Sequence, residues 1–429
     1  MALMVPVTLA ATVGAAAEPG TVVADTVGRL IETQRHALAE FPGLQAERAR
    51  LAAEAAGRRL EAAAGTPYFQ LQSEGVSRSG RQPNAADYLR VGSPFNFPGQ
   101  ISKARSVVRS TEAWLGWAEE EAVVAAVAEV ARRWVDLAAA VELEALSSAR
   151  LERLDAALSL QEARFQLGEI AGTEVRQLEL EHVNQSSRVA AVRGDVDRAR
   201  AAVRELCGAG VVVDVRSGDL EALTMASTTP ADAARSVDQL AAGPVLRRAE
   251  GQAELERRTA QLVSATAWGR AGIDLEWERI PSFAGQPGFD ALGVQLTLPL
   301  PLGAAGHRQR EQARARADAA DASLELATRE VVRSAEEALA TARGASDRLQ
   351  ALEPALDELS DNDHALAEQF RLGAISYLAY IDGLNRFDRL VEEAIDARRS
   401  LLRARLELAV LLGDRSVFPL TEVGRDEEK

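Results

Sequence analysis

The sequence predicts a mostly α-helical protein made of two similar halves, each carrying a pair of short β-strands. Three observations predict this fold class. The composition is 47% hydrophobic but only 4% aromatic, which favours long packed helices of alanine and straight-chain residues. Short segments in which apolar and polar residues alternate indicate strands with one face of each kind. Finally, one stretch of sequence recurs at a constant offset.

This internal repeat organises the chain. Residues 165–170 read FQLGEI and residues 370–375 read FRLGAI, an offset of 370 − 165 = 205 positions. The same offset aligns the Arg-Ala-Arg at 198–200 with the Arg-Ala-Arg at 403–405. A register held over so many residues marks a duplicated structural unit.

The repeat predicts the domain boundaries. Residues 1–17 carry no charge and end in three alanines, which is typical of a secretory signal peptide and its cleavage site. We therefore expect the mature chain to begin near Glu18. The predicted segments are the signal peptide at 1–17, the first repeat at 18–208, a linker at 209–229, the second repeat at 230–413 and a C-terminal tail at 414–429.

Each repeat is predicted to hold a helix, two strands, a very long helix and a shorter returning helix. The first helix follows Pro42 or Pro244. The strands are expected at about 67–76 and 87–95, and at about 271–280 and 289–299. The long helices are expected over 100–207 and 306–412, each divided by a glycine-containing turn. A helix of about 60 residues reaches roughly 90 Å, which is typical of a coiled coil or a tube wall.

The strands indicate a membrane β-barrel. They have about the ten-residue length of a tilted bilayer-spanning strand, and nine of the 19 aromatic residues lie in 66–98 and 268–298, as in the aromatic girdles of outer-membrane barrels. Ordinary amphipathic hairpins with core aromatics remain an alternative. Because four strands cannot close a barrel whose smallest form has about eight, membrane strands would require several chains to share one barrel.

Charge and motifs exclude several functions. The net charge of −15 argues against nucleic acid as a partner. The single cysteine, Cys207, excludes an internal disulfide, and the four histidines are scattered along the chain. Phosphate-binding glycine loops, hydrolase motifs and multi-cysteine metal motifs are absent from the sequence. We predict no enzyme activity, no catalytic residue, no cofactor and no metal site.

The order of elements resembles the TolC-like outer-membrane efflux protein family over nearly the whole mature chain. The most specific segments are residues 370–377 (FRLGAISY) with Ile381 and Asp382, residues 298–303 (LPLPLG) and residues 41–46 (FPGLQA). Within the family, these segments look most similar to the subunits of heavy-metal efflux pumps. Many relatives carry a lipid on an N-terminal cysteine, but no cysteine lies near Ala17, so lipid anchoring is not expected.

The resemblance implies a homotrimer. Its strands would form one β-barrel in outer-membrane lipid, and its helices would form an α-helical barrel that extends into the periplasm. It also implies a passive duct that exports metal ions or small toxic compounds, driven by an inner-membrane pump through a periplasmic adaptor. The turns at Gly168 and Gly373 would lie at the tip, where the adaptor docks. The alternative is a soluble periplasmic coiled-coil adaptor or scaffold, which does not account for the paired strands.

The resemblance also suggests a gate. Asp382 matches an acidic position that lines the closed periplasmic entrance in family members, and three copies around a threefold axis would form a negative ring. The family's second acid, three residues earlier, is Ala379 here, and Gln177 takes the equivalent position in the first repeat. Glu174 and Glu179 also lie near the predicted tip. The alternative for Asp382 is an ordinary solvated helix residue.

Overall fold

The structure, a computed structural model, is predominantly helical. It describes residues 19–63, 67–74, 86–95, 98–208, 210–227, 240–266, 271–280, 287–297 and 304–413. The predicted signal peptide, the C-terminal tail, the LPLPLG segment, both hairpin turns and part of the linker lie outside these residues. The helices are α1 (Pro19–Glu40), α2 (Pro42–Ala62), α3 (Pro98–Gln166), α4 (Gly172–Cys207), α5 (Asp219–Ala226), α6 (Pro244–Thr266), α7 (Ala304–Arg371) and α8 (Tyr377–Leu412).

Proline sets the start of several helices. It is the first residue of α1, α2, α3 and α6, where its fixed φ suits the helix and its missing N–H would have no partner within the helix. After Pro98, α3 runs for 69 residues without another proline. The second long helix, α7, runs for 68 residues and contains Pro354 in its interior. The loss of one hydrogen bond at Pro354 does not end this helix.

The strands are β1 (Tyr68–Glu74), β2 (Ala86–Phe95), β3 (Ala271–Ile280) and β4 (Phe289–Thr297). They form one antiparallel sheet in the order β1-β2-β3-β4. The central pairing joins the two halves of the sequence, with Arg90 opposite Glu276. The sheet is therefore assembled from both repeats.

The chain divides into two compact units, and each contains segments of both repeats. The first unit comprises the described residues within Met1–Gln45, Ala122–Gly243 and Val332–Lys429. The core of this unit is centred on fully buried Trp134, with Leu30 and Leu402 among its members. The second unit comprises the described residues within Ala46–Glu121 and Pro244–Val331. In the second unit Leu51, Trp114 and Leu255 pack together in a hydrophobic cluster that joins α2, α3 and α6.

Two helices were not predicted from the sequence. Helix α1 ends before Pro42, whereas the first helix was expected to begin after that proline. Helix α5 lies inside the segment assigned to a linker, and its N-terminal Asp219 receives hydrogen bonds from Thr26 (2.8 Å) and Arg29 (2.7 Å) of α1. Helices α1 and α5 are thus joined by hydrogen bonds to a buried carboxylate, between residues that are far apart in sequence.

Candidate functional site

One face of the sheet is apolar and exposed. The register places Phe69, Val91, Leu275 and Val294 in one row across the four strands. A second row contains Leu71, Leu89, Trp277 and Leu292. The Val294 side chain is 66% exposed and Leu292 is 78% exposed. A continuous apolar face of this breadth marks a contact with lipid or protein rather than with water.

The opposite face of the sheet is polar. Arg90 and Glu276 form an ion pair of 3.3 Å between neighbouring strands. The Tyr68 hydroxyl donates a hydrogen bond to the buried carboxylate of Asp274. Gly92 lies between these two side chains, which leave no room for a Cβ atom at that position. The sheet is therefore two-faced, because side chains alternate between its faces along every strand.

The two predicted tip turns have the same backbone structure. Gly168 and Gly373 have φ values of 74° and 72°, a left-handed conformation that glycine adopts without steric cost. In the first turn the N–H of Glu169 donates to the Arg164 carbonyl at 2.9 Å, and in the second the N–H of Ala374 donates to Gln369 at 2.9 Å. This six-to-one bond is the Schellman motif, which caps the C-terminus of a helix.

A polar contact ties the two turns together. The Arg164 guanidinium donates to the carbonyl oxygens of Arg371 at 2.8 Å and Phe370 at 3.3 Å. These carbonyls belong to the last turn of α7, where a cation is favoured by the helix dipole. Phe370 is 3% exposed and stacks on Tyr380 with ring centroids 4.4 Å apart. The sequence predicted neither contact, although both lie beside its most specific motif.

Each of the two glycine turns also presents an exposed leucine. Leu167 is 75% exposed and Leu372 is 68% exposed, and they occupy equivalent repeat positions because 372 − 167 = 205. Each directly precedes the turn glycine. Both capped turns therefore hold an apolar side chain in an exposed position.

Asp382 lies on the second turn of α8 with its side chain exposed. Its carboxylate forms an ion pair of 2.7 Å with Arg386, one turn further along the same helix. Glu174 lies in the first turn of α4, and Gln177 and Glu179 are exposed on the same helix. The candidate gate carboxylate is thus accessible but partly neutralised by its neighbour.

A buried ionic cluster near Asp382 was missed by sequence reasoning. Arg150 of α3 donates to Asp388 of α8 at 2.6 Å, to Glu181 of α4 at 2.6 Å and to Asn385 at 2.8 Å. Arg153 also approaches Asp388 at 3.5 Å. Arg150 and Asp388 are both buried, so removing either partner would take away a 2.6 Å ion pair of a buried charge. The cluster links α3, α4 and α8.

Two kinds of site were not found within the described part of the chain. No helix there is both long and apolar enough to cross a bilayer. Likewise, no group of three or more histidine, cysteine or acidic side chains is arranged there to hold a metal ion.

Comparisons with known proteins agree with this geometry. Residues 247–414 match the family model described as outer membrane efflux protein, whereas no curated protein matches the chain. The crystal structure of CusC, concerned with transmembrane channel formation, is 16% identical with a TM-score of 0.75, covering 90% of this chain and 92% of that one.

Two further solved structures have the same fold. The Campylobacter jejuni CmeC outer membrane channel is 13% identical with a TM-score of 0.69, and the match covers 90% of this chain and 85% of that one. The open state of the Neisseria gonorrhoeae MtrE outer membrane channel is 15% identical with a TM-score of 0.68, covering 90% and 89%.

The chain therefore has the fold of these outer-membrane channel structures. The second half of the chain also carries the sequence pattern of the outer membrane efflux protein family, and the resemblance predicted from the sequence is confirmed.

Proposed function

We propose that the chain is the outer-membrane channel subunit of a tripartite efflux system. In this proposal three copies form a passive duct across the outer membrane and periplasm. A partner inner-membrane pump drives the export of metal ions or small toxic compounds through this duct. The observation that carries the proposal is the two-faced sheet, whose apolar rows would contact outer-membrane lipid while its polar face lines the pore.

The sheet edges support a shared barrel. β1 and β4 are the outer strands of the four-stranded sheet, and each has one side without a partner strand among the described residues. In hydrocarbon an unpaired backbone N–H or C=O costs several kcal/mol. Pairing β1 of one copy with β4 of the next would satisfy both edges. A ring of three copies closes the barrel, as the family resemblance implies.

The tip turns support docking of a periplasmic adaptor. Gly168 and Gly373 hold the turns in a rigid capped form, and Leu167 and Leu372 are presented beside them. An adaptor with an apolar helical surface could bury these leucines. In this proposal the glycines shape the docking surface and the leucines supply its contact area.

Asp382 is proposed as the gate carboxylate. Three copies near the threefold axis would attract cations and resist anions. Arg386 lies 2.7 Å from each carboxylate, so the ring would carry less negative charge than three free aspartates. The gate would therefore show weak rather than strict cation preference, which suits a passive duct whose pump selects the cargo.

The alternative is a soluble periplasmic adaptor or scaffold. The helices fit this alternative equally well, but the exposed apolar rows on the sheet do not, because such a surface would promote aggregation in water.

Cell fractionation tests the proposal. We expect the protein in the outer-membrane fraction as a trimer, and a soluble periplasmic monomer would overturn the proposal.

Cysteine crosslinking tests the shared barrel. Cysteines introduced in β1 and β4, at Gln70 and Gln295, should crosslink neighbouring copies into a covalent trimer. The background is low because burial raises the pKa of the Cys207 thiol to about 11. Cysteines introduced at Gln70 alone are the matched control and should leave monomers.

A further inference from the structure

The first turns of the two long helices are unusually basic. Residues 98–111 contain Lys103, Arg105 and Arg109 and no acidic residue. Residues 304–317 contain four arginines, at 308, 310, 314 and 316, and Glu311 is their only acid. The whole chain has a net charge of −15. Positive charge is therefore concentrated where each long helix leaves the sheet.

The two repeats place these cations at equivalent positions. The offsets are 308 − 103, 310 − 105 and 314 − 109, and each equals 205. The six residues Lys103, Arg105, Arg109, Arg308, Arg310 and Arg314 are named the basic belt. Three charges retained in register in both repeats, in helices that otherwise differ in sequence, point to a role that both halves share.

The belt residues have no ion-pair partner among the described residues, and most of them are exposed. Glu311, the acid within the second cluster, pairs instead with His307 at 3.4 Å. Arginines farther along the same helices behave differently. Arg133 pairs with Glu129 at 2.7 Å, and Arg329 pairs with Glu325 at 2.5 Å. The positive charge of the belt is therefore free to meet an external anion.

A groove lies within the first half of the belt. It has a volume of about 670 Å³ and lies between the end of α2 and the start of α3. Its apolar lining includes Ile101 and Val108, and its basic lining includes Arg59, Arg105 and Arg109. Arg59 is held loosely by Glu112 at 3.7 Å. The groove thus combines an apolar floor with a cationic rim.

The belt lies close to the sheet along the chain. β2 ends at Phe95 and α3 begins at Pro98, so Lys103 lies within about 18 Å of the strand end. On the other side, Gln100 of α3 donates to the Ala265 carbonyl at 2.9 Å, near the end of the helix that leads into β3. If the apolar rows contact lipid, the belt lies at the level of the phospholipid headgroups.

We propose that the basic belt binds the phosphate headgroups of anionic phospholipids at the periplasmic surface of the outer membrane. This inference rests on the proposed function, because it needs the sheet to lie in the bilayer. Arginine suits the task, since its planar guanidinium can donate two parallel hydrogen bonds to one phosphate. The groove would hold one such lipid, with its phosphate at Arg105 and Arg109 and an acyl chain along Ile101 and Val108.

Lipid retention by the intact trimer tests the inference. Trimers extracted from membranes are mixed with phosphatidylglycerol or phosphatidylethanolamine, and native mass spectrometry counts the lipids that stay bound. The test variant is R105Q/R109Q/R310Q/R314Q. The matched control, R132Q/R133Q/R329Q/R333Q, removes four arginines from the same two helices, and all four are ion-paired.

The wild-type trimer should retain phosphatidylglycerol over phosphatidylethanolamine, and added salt should weaken the difference. Each basic residue near an anionic lipid surface strengthens attachment about fivefold, so the test variant should bind phosphatidylglycerol at least tenfold more weakly. The control should bind like wild type.

Equal retention by the test variant and wild type would overturn the inference. If the test variant kept its lipid but changed the ion selectivity of the channel in planar bilayers, the belt would line the pore instead of binding lipid. Either result leaves the proposed function standing, since both require a membrane trimer. Recovery of the wild type as a soluble monomer would instead remove the proposed function itself.

Discussion

Placing a charge on the apolar rows should block membrane insertion. Val294 lies within β4, directly opposite Leu275, and its side chain is 66% exposed. An arginine on the lipid-facing surface of a barrel costs about 2–4 kcal/mol near the middle of the bilayer. A trimer would carry three copies, for a total of roughly 6–12 kcal/mol if the costs add. That total is comparable to the whole stability of an ordinary domain, about 5–15 kcal/mol.

Gln295 provides the matched control. It is the next residue in β4, so its side chain points to the opposite face, and its register partner is Asp274. An arginine at 295 would therefore meet a carboxylate rather than lipid. We expect Gln295→Arg to insert like wild type and Val294→Arg to be strongly depleted from the outer membrane.

The assay compares the amount of protein in the outer-membrane fraction and the heat-modifiable trimer band on gels. Both variants are expressed at the same level, and their total amounts are measured before fractionation. If Val294→Arg and Gln295→Arg assemble equally well, the apolar rows do not contact lipid. That outcome would contradict the reasoning from the strand register, even if the protein remained in the membrane.

Three other predictions concern the helical part of the chain. Asp382→Asn should weaken the block of channel conductance by polyvalent cations in planar bilayers, whereas Glu119→Gln should not; an identical response would exclude the gate role. Arg150→Ala should destabilise the protein by about 3–5 kcal/mol, because buried Asp388 loses its hydrogen-bonded cation and keeps only Arg153, at 3.5 Å, and thermal unfolding followed by circular dichroism would measure the loss. Burial, with some repulsion from Glu221, raises the pKa of Glu142 although Arg398 opposes the shift. A raised pKa in the folded state means that the wild type loses stability as pH rises through and above the ordinary glutamate pKa. Glu142→Gln should therefore gain stability relative to wild type at pH 7 but not at pH 4, and a pH-independent difference would contradict this.

The local pattern of the sequence accounts for the strands and for the backbone of the two glycine turns. Alternation depends only on neighbouring residues, and the alternation at 271–280 coincides with β3 (Ala271–Ile280). The glycines at 168 and 373 have the left-handed conformation that a helix-ending glycine favours. Such features follow from a few adjacent side chains, and a single sequence contains that information.

Tertiary contacts could not be predicted in the same way. Arg150 reads as one more arginine in a charged helix, and only the packing of α3, α4 and α8 shows that it is buried against Asp388. Likewise Phe165 and Phe370 have the same sequence context, yet the first is 49% exposed and the second is 3% exposed. The repeat pattern predicts equivalent backbones but not which neighbours each copy meets. Helix α5 was missed because its eight residues carry too few turns for a periodic signal.

Each compact unit is interwoven from the two repeats, and this has an evolutionary consequence. Neither repeat has a whole unit to itself, and the central β2–β3 pairing joins residues 186 positions apart, as in Arg90 and Glu276. An ancestral chain with a single repeat would have needed a second copy to complete either unit. Fusing two such genes would replace the association of two molecules by the association of two repeats within one chain. The effective concentration of one repeat around the other would then be much higher. After fusion the two repeats could also diverge in sequence, because each would pair with the other repeat and no longer with an identical copy of itself.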